Sequence, residues 1–189
     1  MRNTITVVLL GLAVVLAGCM GGGKGAGEAG KVVLRVNAGA DKEYVDAAGN
    51  TWLPDQESTA GAKYGAVGGK VIRRTLTTIA GTQAPEVYLT ERYSMTAYKF
   101  ALPNGKYTVR LHFAETFEGV KAEGLRVFSV KVQGLPVLTD FDVFKTAGGF
   151  AKPAIQECKG IQVTDGTLAV EFIPKVQNPE INGIEIIAR

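Results

Sequence analysis

The sequence predicts an all-β protein, a jelly-roll sandwich of two antiparallel sheets with long loops gathered at one end. Apolar and polar residues alternate with period two through most of the chain after residue 30, which is strand patterning and not the 3.6-residue rhythm of a helix. Short runs of this kind are punctuated by turn pairs such as Asn104-Gly105, Gln133-Gly134 and Asp165-Gly166, giving roughly eight to ten strands at sandwich spacing. No internal repeat is evident, which argues against a propeller or a solenoid.

The elements follow in order. "KVVLRVNAG" places Val32, Leu34 and Val36 on one face. "YKFALPNGKYTVRLHFAE" reads as a hairpin, with Phe100 and Leu102 leading into Asn104-Gly105 and Tyr107, Val109, Leu111 and Phe113 alternating back. "RVFSVKVQGLPVL" repeats the pattern with Phe128, Val130 and Val132 before Gln133-Gly134. "IQVTDGTLAVEFIP" does so again, with Ile161 and Val163, the Asp165-Gly166 turn, then Leu168, Val170 and Phe172. "INGIEIIAR" closes the chain with Ile184 and Ile186 on one face.

The N-terminus has the makeup of an export signal. A single cation, Arg2, precedes an apolar stretch from Ile5 to Leu16 that is too short to cross a bilayer comfortably. "LAGC", residues 16–19, resembles a bacterial lipobox, so residues 1–18 are expected to be removed and Cys19 to carry lipid at the mature N-terminus. The domain would then sit outside the cytoplasm, anchored to the cell membrane or the outer membrane. Each buried acyl methylene contributes about 0.8 kcal/mol, so two or three chains hold a small domain firmly. Residues 19–30, nearly half glycine, read as a tether, and residues 31–189 as one folded domain large enough to need no disulfide or structural metal. With Cys19 acylated, Cys158 is expected to be a small buried residue without an intramolecular bridge.

Composition narrows the function classes. A formal charge of +3 with scattered cations does not suit nucleic acid. The single histidine, His112, excludes a histidine metal cluster and sits in an alternating strand, where a structural role is expected. Glu91, Glu115, Glu118, Asp140 and Asp142 could supply the two carboxylates of a glycosidase, but their spacing does not call for it. Asp140 and Asp142 lack the ligand spacing of a calcium loop and read as turn or capping residues. No cofactor is expected.

The stretch "EVYLTERYSMTAYKF", residues 86–100, carries three tyrosines around an acid and a base. Tyrosine buries a ring while its hydroxyl seeks a partner, so it suits a surface that binds something flat and polar, although it also packs well in strands. In the loop before it, Tyr44, Trp52 and Tyr64 stand among glycine, alanine and charged residues, and Tyr64 has no apolar neighbours in sequence. Loops on a rigid sandwich commonly carry binding chemistry.

"LRVNAGA", "KYG", "LTERY", "LHFAETF", "FSVKVQG" with "DFDVF", "LAVEF" and "NPEINGIEI" occur in the order seen in malectin and the malectin-like carbohydrate-binding modules, and the chain resembles that family from Val33 to Ile187. The resemblance implies a non-catalytic jelly roll that binds glucose-containing saccharides through loop aromatics and an acid. Tyr64 and Tyr93 match two of the family's ligand tyrosines, and Phe117 matches an aromatic that stacks on the sugar. Thr116 stands where a tyrosine is usual, and Gln177, before Asn178 and Pro179, stands where malectin has an acid. Gln177 still donates and accepts hydrogen bonds, and Trp52 could supply stacking area. The alternative is an envelope protein-interaction or structural module of the same fold without a working sugar site.

Overall fold

The computed structural model describes residues 19–21, 30–75 and 78–189. Residues 1–18, expected to be an export signal, and most of the expected tether lie outside the described residues. In chain order the early strands are β1 (Cys19–Gly21), β2 (Lys31–Asn37), β3 (Tyr44–Val45), β4 (Thr51–Trp52), β5 (Tyr64–Val67) and β6 (Lys70–Arg73). A 3-10 helix (Pro85–Leu89) leads into β7 (Thr90–Tyr93), β8 (Ala97–Ala101), β9 (Gly105–Phe113), β10 (Val127–Val132) and β11 (Leu135–Phe141). After a short helix α1 (Val143–Ala147) come β12 (Ala154–Val163), β13 (Thr167–Val176), β14 (Glu180–Ile181) and β15 (Gly183–Ala188).

Two five-stranded antiparallel sheets, ordered β1-β12-β9-β15-β2 and β11-β10-β13-β8-β5, enclose the core, as an all-β sandwich requires. The period-two residues do the packing. Val109, Leu111, Phe113, Ile184 and Ile186 of one sheet meet Phe100, Phe128, Val130, Leu168 and Val170 of the other, all fully buried. Phe113, Phe128 and Phe141 form an aromatic centre with ring centroids 4.9 to 5.9 Å apart. Each such ring is expected to contribute several kcal/mol, about 3–5 on truncation to alanine.

The turn readings need correction. Only β10 and β11 form the expected hairpin, through Gln133 and Gly134, whose φ angles of 52° and 73° give the primed turn that matches strand twist. The segments read as hairpins around Asn104-Gly105 and Asp165-Gly166 are instead crossovers between the sheets. β8 pairs with β13 and β5, whereas β9 pairs with β12 and β15. Asn104 does not turn the chain back on itself; its side chain donates to Thr164 O at 2.9 Å and accepts from Gly166 N at 2.9 Å, tying the two crossovers together.

Two readings at the cysteines also change. Cys19–Gly21 lie as a strand on the edge of the first sheet, not as tether. Cys158 is disulfide-bonded, opposite Cys19 in the β1–β12 register, and not a lone buried thiol. The pairing partner stands 139 positions away in sequence, from residue 19 to residue 158, so the local pattern around "AIQECKGIQV" shows burial alone.

A three-stranded sheet, β14-β7-β6, lies at the loop end and positions the site. Its register sets Glu180, Tyr93 and Lys70 side by side, and Ile72 beside Glu91. Side chains alternate along a strand. Glu180, Tyr93, Glu91, Lys70 and Ile72 therefore share one face, and Ile181, Arg92 and Val71 the other.

Candidate functional site

The face bearing Tyr93 and Glu91 forms one wall of a cavity of about 250 Å³ lined by Ile72, Arg74, Glu91, Tyr93, Phe117, Arg126, Gln177 and Asn178. Phe117 comes from the β9–β10 loop and Gln177 and Asn178 from the β13–β14 loop, so residues far apart in sequence meet here. Phe117 is 40% exposed, an apolar ring presented to solvent. The guanidinium carbon of Arg74 lies 5.7 Å from the centre of that ring.

The polar groups are held in fixed order. Arg74 Nη2 donates to Glu91 Oε1 at 3.0 Å, and Thr116 Oγ donates to Glu91 Oε2 at 2.8 Å. Arg126 Nε donates to Glu115 Oε2 at 2.6 Å and Nη1 to Asn178 O at 2.5 Å, which fixes the β13–β14 loop over the cavity. Burial pushes the Glu115 carboxyl up, against the pull of Arg126. Glu180 is fully buried and neither carboxyl oxygen has a hydrogen-bond partner among the described residues. Burial, then Glu91 and Glu115, hold it well above the usual carboxylate range.

Backbone strain frames the cavity. Ser94, directly after Tyr93, and Gln177 both adopt left-handed φ, 60° and 58°. Such conformations cost about 1–2 kcal/mol for a residue with a Cβ and cluster at sites where a side chain must be aimed. Gly69, at φ 90°, lets the chain pass β7 closely; a Cβ there would lie 2.7 Å from Tyr93 O.

The structure brings Tyr93, Phe117, Gln177 and Asn178 together, and leaves three other expected residues elsewhere. Tyr64 is half-buried on β5, packs against the main core and donates its hydroxyl to Pro54 O at 2.8 Å. Its apolar neighbours come through pairing with Phe100 on β8, which no local sequence window shows. Trp52 is buried; its Nε1 donates to Asp46 Oδ2 at 3.0 Å and its ring meets His112 edge-on at 5.2 Å. Thr116 is buried behind the cavity, where it holds Glu91.

Arg74 and Arg126 were not among the expected site residues. A signal for Arg126 exists: it continues the inward register of Phe128, Val130 and Val132, and a charge in that register demands a buried partner. His112 is structural, with Nδ1 2.8 Å from Tyr88 Oη and Nε2 2.9 Å from Glu185 Oε1. Asp142 caps α1, accepting from Lys145 N at 3.0 Å. Among the described residues no group of three or more His, Cys, Asp or Glu could hold a metal.

A β-sandwich with a small open cavity between loops, walled by aromatic rings, amides and an ion pair, has the build of a ligand-binding module. The malectin domain model matches residues 32–184, and the chain belongs to that family. Malectin-A of Xenopus laevis is 30% identical over 174 residues, 89% of this chain and 59% of that protein. A probable LRR receptor-like serine/threonine-protein kinase of Arabidopsis thaliana is 36% identical over 95 residues, 47% of this chain and only 9% of the kinase. Among solved structures, Bacteroides uniformis beta-glucuronidase superposes with a TM-score of 0.75 at 25% identity, over 82% of this chain and 18% of that one. The plant receptor-like kinase FER, at 20% identity and a TM-score of 0.69 over 83% of this chain and 49% of that one, shares the fold.

Proposed function

We propose that the chain binds carbohydrate without catalysis, taking the end of an oligosaccharide of glucose-type rings in this cavity. The observation that carries the reading is the meeting of Phe117 and Tyr93 with the amides of Gln177 and Asn178 and the Arg74–Glu91 pair. Aromatic faces suit the C–H face of a pyranose, and the amides and charged groups can exchange hydrogen bonds with its hydroxyls. At about 250 Å³ the cavity is smaller than one that engulfs a drug-sized ligand, so the rest of the saccharide stays in solvent. Affinity is then expected in the micromolar to millimolar range, about 4–8 kcal/mol. Membership of the malectin domain family supports the reading.

The acids have other employment. Glu91 is bound by Arg74 and Thr116, Glu115 by Arg126, and Asp142 by a helix N-terminus, so none is a free nucleophile or base. We further propose that lipid on Cys19 anchors the domain to a bacterial membrane.

The test is a glycan array followed by calorimetry of wild type, Phe117→Ala and Tyr93→Ala. Loss of one stacking face, about 0.5–1.5 kcal/mol, should weaken binding roughly threefold to tenfold. Phe117→Ala should melt like wild type, since that ring is exposed. An unaltered affinity in both variants would remove the site from this cavity. Absence of any glycan ligand would favour an interaction module that has kept the fold alone.

A further inference from the structure

We propose that the saccharide bound here carries a carboxylate, as a hexuronate unit, and that Arg74 reads it with Lys70 beside it. The inference deepens the carbohydrate reading of the same cavity and rests on it.

Charge in the site is layered. The Arg74 side chain is 19% exposed, while its partner Glu91 is 3% exposed and Glu115 is fully buried. A ligand entering the cavity therefore meets the cation before the acids. Arg74 uses Nη2 on Glu91 and Nε, at 3.4 Å, on Thr116 Oγ, and its Nη1 has no hydrogen bond among the described residues. A guanidinium held on one side and open on another is suited to a carboxylate, whose oxygens match its planar fork. The Phe117 ring lies against the guanidinium, its centre 5.7 Å from the guanidinium carbon.

Lys70 adds a second cation at the same face. It is exposed, stands opposite Tyr93 in the β6–β7 register, and has no ion-pair partner among the described residues. Lys70 stands on that sheet face outside the cavity's lining, whose other residues contribute no free acid: Gln177 and Asn178 are amides, and Arg126 is itself a cation. The acids of the neighbouring loop are engaged, Glu118 by Lys121 and Glu123 by Lys145 at 3.7 Å. Below the cavity, Glu91 and Glu115 balance Arg74 and Arg126 in two ion pairs. A further negative charge from the ligand thus meets a part-exposed cation, Arg74, on the wall of a cavity whose acids Glu91 and Glu115 are already paired.

The experiment compares oligosaccharides of one linkage and length that differ only at C6. Cellotetraose and maltotetraose are titrated against their C6-oxidised counterparts, the β-1,4- and α-1,4-linked tetraglucuronates. The expected result is a preference of about tenfold or more for one uronate, since a charge-assisted hydrogen bond is roughly twice as strong as a neutral one. That preference should shrink as salt rises from about 50 mM to about 500 mM, where screening shortens from about 14 Å to about 4 Å. Arg74→Gln should cut uronate affinity more than neutral-sugar affinity. Lys70→Gln, on an exposed side chain that cannot unsettle the fold, should reduce the preference and its salt dependence. Neutral tetramers that bind as well as the uronates, or better, overturn this inference and leave the carbohydrate reading standing. If no uronate, neutral tetramer or array glycan binds, both fall.

Discussion

Replacing Glu180 with methionine should stabilise the protein. Glu180 is fully buried on the cavity-side face of β14, and neither of its oxygens has a hydrogen-bond partner among the described residues. A buried polar group without a partner costs about 1–3 kcal/mol, and an apolar side chain of similar length avoids that cost. The gain should grow with pH. Because the folded-state value is raised, the unfolded chain ionises first, so the contribution of Glu180 to wild-type stability is greatest below the ordinary carboxyl value of 4.5 and falls as pH rises toward the folded value. Glu115, also raised by burial, contributes in the same direction. Glu185 works oppositely: burial pulls it up, but His112 and nearby arginines outweigh that and lower it, so its contribution fades as pH falls. Urea unfolding of wild type and Glu180→Met across about pH 4 to 9 reads both effects. The variant should gain about 1–3 kcal/mol at neutral pH and show a flatter decline above 4.5. A variant less stable than wild type, with an unchanged pH slope, would mean that Glu180 is ionised and paired in the folded protein, and the layered charge balance would fail with it.

Tyr64→Ala should cost about 2–4 kcal/mol of folding stability, below the figure for a fully buried aromatic because the ring is half-buried, while sugar affinity of the folded fraction is unchanged; melting and calorimetry on the same samples separate the two. Gly69→Ala forces a Cβ against Tyr93 O and strains a positive φ, so binding should weaken through displacement of β7, read by calorimetry. Arg126→Met leaves Glu115 buried without its cation and should cost about 3–5 kcal/mol in urea unfolding. Protein extracted from membranes should carry lipid on Cys19 by intact mass; an unlipidated Cys19 would remove the proposed anchor.

The alternation at Val109, Leu111 and Phe113, at Phe128, Val130 and Val132, and at Leu168 and Val170 made the core legible, because a strand buried on one face writes that face at every second residue. It did not say which strands share a sheet. Asn104-Gly105 has the composition of a hairpin turn, yet neither residue takes the positive φ that such a turn requires, and the chain crosses to the opposite sheet. The packing of Tyr64 was hidden for the same reason: its partner, Phe100, is supplied by a pairing 36 positions away. Half of the cavity was legible through Tyr93, Phe117, Gln177 and Asn178, which the family resemblance singled out. Arg74 was hidden because the pair Arg73-Arg74 after "KVI" resembles any solvated strand end.

The other half was present in the sequence in a different form. Leu111 and Phe113 continue to Glu115 at the same period, and Phe128, Val130 and Val132 begin from Arg126. Two inward registers, one in each main sheet, thus end in opposite charges, and those charges meet at 2.6 Å with both side chains almost fully buried. Isolated at that depth, either charge would be strongly unfavourable. As a pair they close the core at the loop end, and the remaining donor of Arg126, bonded to Asn178 O, carries that rigidity into the loop bearing Gln177. The same pattern recurs on β7, where Glu91 and Tyr93 share a face and Glu91 is held by Arg74. The ion pairs are therefore the means by which three loops and a small sheet are fixed around one cavity. That role accounts for buried acids in a binding site without assigning them any part in bond cleavage.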